Sequence, residues 1–189
     1  ALGIRVVVDV EDAAEVPHDH DPHDDSVSPQ GLCEARPFVD FCIYHCNIRG
    51  FSTHRAELQE QLRLLPSLPH VVCLNETFLD ESVEHISLGG YALVSRRDRD
   101  DGRQGGGIAM FVREQLDGQI VLRHHSRDYE RSWHTIHSEI GPILFCVWYR
   151  PPMVGKLGSI NVCDDEYCQY FHGHVGFIMV GDLNVHHTR

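Results

Sequence analysis

Three stretches of this chain end in the same way, and that pattern constrains the fold more than any other feature. A run of apolar residues stops abruptly at amide or carboxylate side chains. Cys46-Asn47-Ile48-Arg49 closes the first run, Leu74-Asn75-Glu76-Thr77 the second, and Val180-Gly181-Asp182-Leu183-Asn184 the third. Short apolar runs bounded by turn residues read as strands covered on both faces. Polar residues at the ends of such strands sit on rigid backbone beside open loops, which is where sites form. A carboxylate that follows four apolar residues needs a partner or water, and a divalent cation is a natural partner.

The rest of the pattern supplies the layers. Phe38 to Ile48 is a nearly continuous apolar and aromatic run. Ser52 or Thr53 then offers a helix N-cap, and Leu58, Leu62 and Leu65 recur at helical spacing until Pro66 stops them. His70–Leu74 is a short buried strand. Tyr91–Ser95 and Gly107–Val112 form a hairpin around the charged tip Arg96 to Arg103. Ile120–Arg123, Trp133–Ser138, Ile143–Tyr149 and Val175–Val180 complete the strands, and a short helix is expected within 153–172. Many strands with few helices favour a layered α/β sandwich over a doubly wound sheet.

Charge divides the chain in two. Residues 1–36 hold nine acids against two arginines, a net of −7 out of −12 for the whole. Pro17, Pro22, Pro29 and Gly31 interrupt residues 11–36, which cannot bury enough surface to fold. Residues 1–36 are therefore expected to be an acidic, His/Asp/Pro-rich tail, and 37–189 the globular domain. Ile4 to Val10 has strand character but no evident partner. The His18-to-Asp25 cluster reads as a charged linker with weak metal affinity at most. An acidic chain binds polyanions poorly in bulk, so nucleic-acid contacts must come from local arginines. Cys42-x3-Cys46 and Cys163-x4-Cys168 lack partner pairs at zinc spacing, and the odd count of seven cysteines suits reduced, buried thiols in an intracellular protein. No apolar run is long enough to span a membrane.

Five segments in order carry a family resemblance. They are Asn47, the Asn75-Glu76-Thr77 run, Gly105-Gly106-Gly107-Ile108-Ala109, Trp148-Tyr149-Arg150-Pro151-Pro152, and Gly181-Asp182-Leu183-Asn184. Over residues 38–189 the chain resembles the endonuclease/exonuclease/phosphatase superfamily. Its Gly-rich hairpin and Tyr-Arg-Pro-Pro run look most like the endonuclease domains of LINE-type (non-LTR) retrotransposons. The resemblance implies an α/β, four-layer α/β sandwich of DNase-like type, with two packed mixed β-sheets flanked by helices. It implies Mg²⁺, with Mn²⁺ as substitute, bound by Glu76 with Asn47 beside it. Asp182 would activate the attacking water, Asn184 would stabilise charge on the phosphoryl oxygens, and Tyr149 would donate a hydrogen bond to the phosphate. Arg150, Arg97 and Arg103 are the candidate contacts to substrate phosphate or DNA. DNA is the implied partner, with a reverse transcriptase module of the same polyprotein, and the nucleus the implied place of action on genomic DNA.

The chain departs from the family pattern in one respect. Family members continue to a further Asp and a closing Ser-Asp-His run, whose histidine acts at the scissile phosphate. The resemblance therefore implies a sandwich lacking its C-terminal strands and a chain that cuts DNA poorly or not at all. His186 and His187 share a loop with Asn184, whereas the family histidine approaches from the opposite side. Two further readings stay open: a superfamily phosphatase acting on lipid or nucleotide phosphates, and a remnant that keeps the fold without turnover.

Overall fold

The computed structural model describes residues 41–99, 105–152 and 158–184, together with the backbone of residues 4–8. The expected disorder of residues 11–36 falls outside these, as do Arg103, His186 and His187.

The first sheet has five strands: β1 (Ile4–Val8), β2 (Phe41–Asn47), β3 (Val71–Asn75), β4 (Tyr91–Arg97) and β5 (Ile108–Arg113), in the order β1-β2-β3-β5-β4. β1, β2 and β3 run parallel, while β5 pairs antiparallel with both β3 and β4. The segment that lacked an evident partner in the sequence is thus the edge strand, paired from Ile4↔Phe41 to Val8↔His45. The sheet reaches five residues into the stretch read as tail. Nothing in a local pattern announces such a pairing, because strand and partner lie more than thirty residues apart in the sequence.

The second sheet holds β6 (Ile120–His125), β7 (Glu130–Ser138), β8 (Gly141–Tyr149) and β9 (Gly176–Asp182), in that order. β8 and β9 are parallel, and the other neighbours antiparallel. Helix α1 (Phe51–Leu64) covers the outer face of the first sheet, and α2 (Gly158–Tyr170) the outer face of the second. The result is the four-layer α/β sandwich expected from the sequence.

Alternation along the strands decides which side chains enter which layer. Ile43, Cys73, Met110, Phe145, Val147 and Val180 fill the core between the sheets. Their out-of-phase neighbours Tyr44, Cys46, Val72 and Leu74 pack under Phe51, Leu58 and Leu62 of α1. Leu144, Cys146 and Trp148 pack with Cys163 of α2. The thiols of Cys42, Cys46, Cys73, Cys146 and Cys163 are buried and in no disulfide, in keeping with small apolar residues.

Helix α1 begins two to three residues earlier than expected and uses neither Ser52 nor Thr53 as its cap. Its N-cap is Gly50, with no side-chain hydrogen bond. The orphan donors are met from elsewhere: Gly50 N–H donates to Glu76 O and Phe51 N–H to Thr77 O, both at 2.8 Å. The loop after β3 therefore caps the helix, which ties the backbone of Glu76 to the turn after β2.

Helix α2 buries few of its own side chains and is held by charge instead. Glu166 accepts from Arg131 Nε at 2.8 Å, from Trp133 Nε1 at 2.7 Å and from the Ser126 hydroxyl. Arg131 is fully buried, with its guanidinium 4.6 Å from the Trp148 ring centroid. Among the described residues no helix is long and apolar enough to cross a membrane.

Candidate active site

The inter-sheet face changes character at one rim. Following the core positions Ile43, Cys73, Val147 and Val180 two residues at a time leads to His45 and Asn47, Asn75, Tyr149, and Asp182. β2 and β3 present their C-terminal ends together, as do β8 and β9, and hydrogen bonds between the sheets set the two pairs of ends at one rim. Polar side chains thus replace the last apolar layer of the core.

Hydrogen bonds join the two sheets at this rim. The Tyr149 hydroxyl donates to Glu76 Oε1 at 2.6 Å. Asn75, fully buried, donates from Nδ2 to Trp148 O at 3.4 Å. Register places Tyr149 opposite Asp182 and Asn47 opposite Asn75. The rim therefore brings Asn47, Glu76, Tyr149, Asp182 and Asn184 to one end of the sandwich. Burial pushes the Tyr149 hydroxyl up, and hydrogen bonding to the Glu76 carboxylate pushes it further, so it stays a donor throughout the physiological range.

The Asp182–Asn184 turn is built around contacts to β8. Arg150 N–H donates to Asp182 O at 2.8 Å, and Asn184 Nδ2 donates to Arg150 O at 2.7 Å. The Asn184 amide N–H closes the turn on Asp182 Oδ1 at 3.0 Å. Gly181 has φ 152°, and a Cβ there would lie 1.8 Å from Trp148 O, so no other residue fits between Val180 and Asp182 without moving the strand. Asn184, at φ 46°, and Glu76, at φ 54°, both hold the left-handed conformation that non-glycine residues seldom adopt. Such conformations collect at sites where surrounding structure enforces them.

The Gly-rich run clamps the same region from the hairpin. Thr77 N–H donates to Gly107 O at 3.3 Å and Phe78 N–H to Gly106 O at 3.0 Å. On its other side, Gly107 N–H donates to Glu130, the residue opposite Tyr149 in the sheet. Glu130 also pairs with Arg99 Nε at 2.7 Å, and the Arg99 guanidinium lies 5.9 Å from the Tyr149 ring centroid. A Cβ on Gly106 would lie 2.5 Å from both Arg99 and Glu130, and one on Gly107 would lie 2.5 Å from Thr77 Oγ1. Both glycines hold positive φ, 75° at Gly106 and 85° at Gly107, where a side chain would be strained whatever the space.

The arginines expected to face substrate are arranged differently from one another. Arg97 turns to the loop before β7, donating to Tyr129 O at 2.9 Å and Arg127 O at 2.8 Å. Arg150 donates to Ser159 Oγ at 3.3 Å and Leu183 O at 3.2 Å, bracing α2 against the Asp182–Asn184 turn. Both carry structural contacts, and Arg99 also sits at the rim, over the Tyr149 ring. Asn47 Oδ1 accepts from Arg49 N–H at 3.3 Å, which shapes the turn after β2.

Sequence reasoning also passed over His45 and Asn75. His45 is buried, and burial lowers its pKa, while the charge of Asp182 and the side chain of Asn75 pull it up. His45 Nε2 and Asn75 Oδ1 lie at the rim with no well-formed hydrogen bond among the described residues. The available signal was their phase, since both share a strand face with Asn47 or precede Glu76 directly.

The donor set suits one kind of metal. Among the described residues no three His, Cys, Asp or Glu side chains gather as a ligand cluster. Magnesium is commonly bound through one or two carboxylates and keeps several waters for the rest of its shell. Glu76, half-buried with one oxygen held by Tyr149, fits that demand.

Two mixed sheets packed face to face between helices, with carboxylate, amide and tyrosine side chains at one rim, define a DNase-like sandwich. The chain belongs to the Endonuclease/Exonuclease/phosphatase family, which it matches over residues 44–189. Among solved structures it is similar to a functionally unknown conserved protein from Enterococcus faecalis V583, at 14% identity and TM-score 0.53 over 76% of this chain and 66% of that one. It is also similar to the endonuclease domain of TRAS1, a telomere-specific non-LTR retrotransposon, at 14% identity and TM-score 0.49 over 76% and 60%. A 3'-5' exonuclease (NExo) from Neisseria meningitidis matches at 16% identity and TM-score 0.46 over 76% and 57%. The chain thus spans 57% to 66% of the length of these three. No curated protein matches it.

Proposed function

We propose that this domain hydrolyses phosphodiesters with a divalent metal, nicking DNA in the manner of a retrotransposon endonuclease. The observation that carries the reading is the Tyr149–Glu76 hydrogen bond at 2.6 Å, with Asp182 opposite Tyr149 in the adjacent strand. The bond joins a candidate metal carboxylate to a candidate hydrogen-bond donor to phosphate, and the register sets a candidate base next to that donor. Glu76, with Asn47 beside it, would hold Mg²⁺ or Mn²⁺, and that ion supplies Lewis-acid polarisation of a phosphoryl oxygen.

The chain's own groups account for the remaining chemistry. Asp182 orients the attacking water through its carboxylate and takes its proton as the new O–P bond forms. The opposite P–O ester bond breaks as this happens, and the departing sugar oxygen takes a proton from solvent. The Asn184 amide has a second N–H beyond the one given to Arg150 O, and that N–H meets charge building on the phosphoryl oxygens. Tyr149 keeps its proton and donates to the phosphate or to Glu76. Family resemblance extends the reading to a nick made on genomic DNA in the nucleus, for a reverse transcriptase of the same polyprotein.

The test compares two substrates. Supercoiled plasmid and a panel of lipid and nucleotide phosphomonoesters are incubated with the chain and Mg²⁺. Conversion of plasmid to the nicked circle, without orthophosphate release from the monoesters, supports the reading. Orthophosphate release without nicking supports the phosphatase alternative.

A further inference from the structure

We propose that Phe78 is a stacking platform for a nucleobase beside the phosphate held at Glu76 and Asp182, so that the site takes nucleic acid strands with bases rather than bare phosphodiesters. The proposal rests on the phosphodiesterase reading above and adds the group that recognises the substrate's base.

The segment after β3 alternates between inward and outward residues. Thr77 and Leu79 are buried, Leu79 within the cluster under α1, whereas Phe78 is 47% exposed. Glu76 and Phe78 share the left-handed conformation, at φ 54° and φ 53°. For a bulky aromatic this conformation is an outlier, and asparagine or glycine would hold it with less strain. A phenylalanine kept in a strained backbone while it buries only half its ring contributes little to the fold. Strain that folding does not require points to function.

Two glycines frame the ring. A Cβ on Gly50 would lie 3.5 Å from Phe78 Cδ2, and one on Gly105 would lie 3.2 Å from Cε1. Gly50 belongs to the turn that follows Asn47 and carries the exposed Arg49. Gly105 belongs to the run that clamps Glu76 to Tyr149. The ring is thus framed by the backbone of two turns of the rim, two residues along the chain from the candidate metal carboxylate.

Charge gives such a contact weight. At a net −12 the chain gains little from bulk attraction to a polyanion. Aromatic stacking is indifferent to net charge and tolerant of base identity, and an aromatic beside an arginine is the common make-up of single-strand binding surfaces.

Fluorescence anisotropy with a labelled oligonucleotide, in Ca²⁺ to hold off turnover, tests the proposal. A second strand of the same length and charge, built from abasic tetrahydrofuran units, serves as control. We expect the wild-type chain to prefer the strand with bases. Phe78→Ala and Phe78→Asn should weaken that binding about 10-fold while leaving the abasic strand little changed, and Phe78→Trp should restore the preference. Phe78→Asn should melt at or above the wild-type temperature, which separates lost recognition from lost structure. Equal losses on both strands, or no loss on either, would overturn the proposal while leaving the phosphodiesterase reading in place. A wild-type chain that binds neither strand would overturn both.

Discussion

The Tyr149 hydroxyl donates a hydrogen bond to Glu76 Oε1 at 2.6 Å, across the interface between the two sheets and 73 residues apart in sequence. One bond therefore couples the proposed hydrogen-bond donor to phosphate to the carboxylate that would hold the metal. Tyr149→Phe keeps the ring in the inter-sheet core and removes only the hydroxyl. We expect kcat for nicking to fall by about 10-fold to 100-fold, in the range of lost transition-state hydrogen bonds, with a melting temperature within a few degrees of wild type. A wild-type kcat in a well-folded Tyr149→Phe chain would show that the hydroxyl serves packing alone.

Glu166 is the counter-charge to a fully buried guanidinium, and its loss should be felt in stability. Burial pushes its carboxyl up, but hydrogen bonds from Arg131, Ser126 and Trp133 outweigh that and hold it below the usual carboxylate range. Glu166→Ala leaves Arg131 buried without its partner, a change that costs about 3–5 kcal/mol in comparable cases. Urea unfolding should show a lower midpoint with an unchanged slope. A midpoint within error of wild type would mean that α2 is not anchored through this pair.

Acid should destabilise the fold well above the carboxylate range. Burial lowers the His134 ring to about 3, against an ordinary value of 6.5, and its Nε2 sits 2.7 Å from Ser95 Oγ between the sheets. Between those two values the unfolded chain binds a proton that the folded chain refuses. Stability is therefore complete above about pH 6.5 and is lost as pH falls through the window, by up to ~1.4 kcal/mol per unit for one proton. Burial lowers His45 and His125 as well, so they act in the same direction. Melting temperatures recorded from pH 7 to pH 5 should decline, and the decline should be shallower in His134→Gln. An identical slope in the variant would contradict the assignment.

Much of this fold could be read from local pattern, and the failures share a cause. The apolar runs ending at Asn47, Glu76 and Asp182 were legible because alternation and an abrupt polar stop are properties of adjacent residues. The pairing of Ile4–Val8 with β2 was not, since it depends on a partner more than thirty residues away. The cap of α1 was misread for a similar reason: carbonyls of Glu76 and Thr77 accept from Gly50 and Phe51 N–H and start the helix before Ser52. Arg97 and Arg99 are indistinguishable in a charged tip, yet one bonds loop carbonyls and the other pairs with Glu130 against Tyr149. Phe78 carried no sequence signal, because its conformation and exposure are set by the loop around it.

The most direct test of the central claim is nicking of supercoiled plasmid in Mg²⁺ by the wild-type chain, by Glu76→Gln and by Asp182→Asn, each repeated with EDTA. Both substitutions keep size and shape while removing charge from the rim. The account predicts metal-dependent nicking by the wild-type chain, abolished by EDTA and reduced at least ~10²-fold in each variant. Nicking that persists in EDTA, or that proceeds at the wild-type rate in both folded variants, would contradict it.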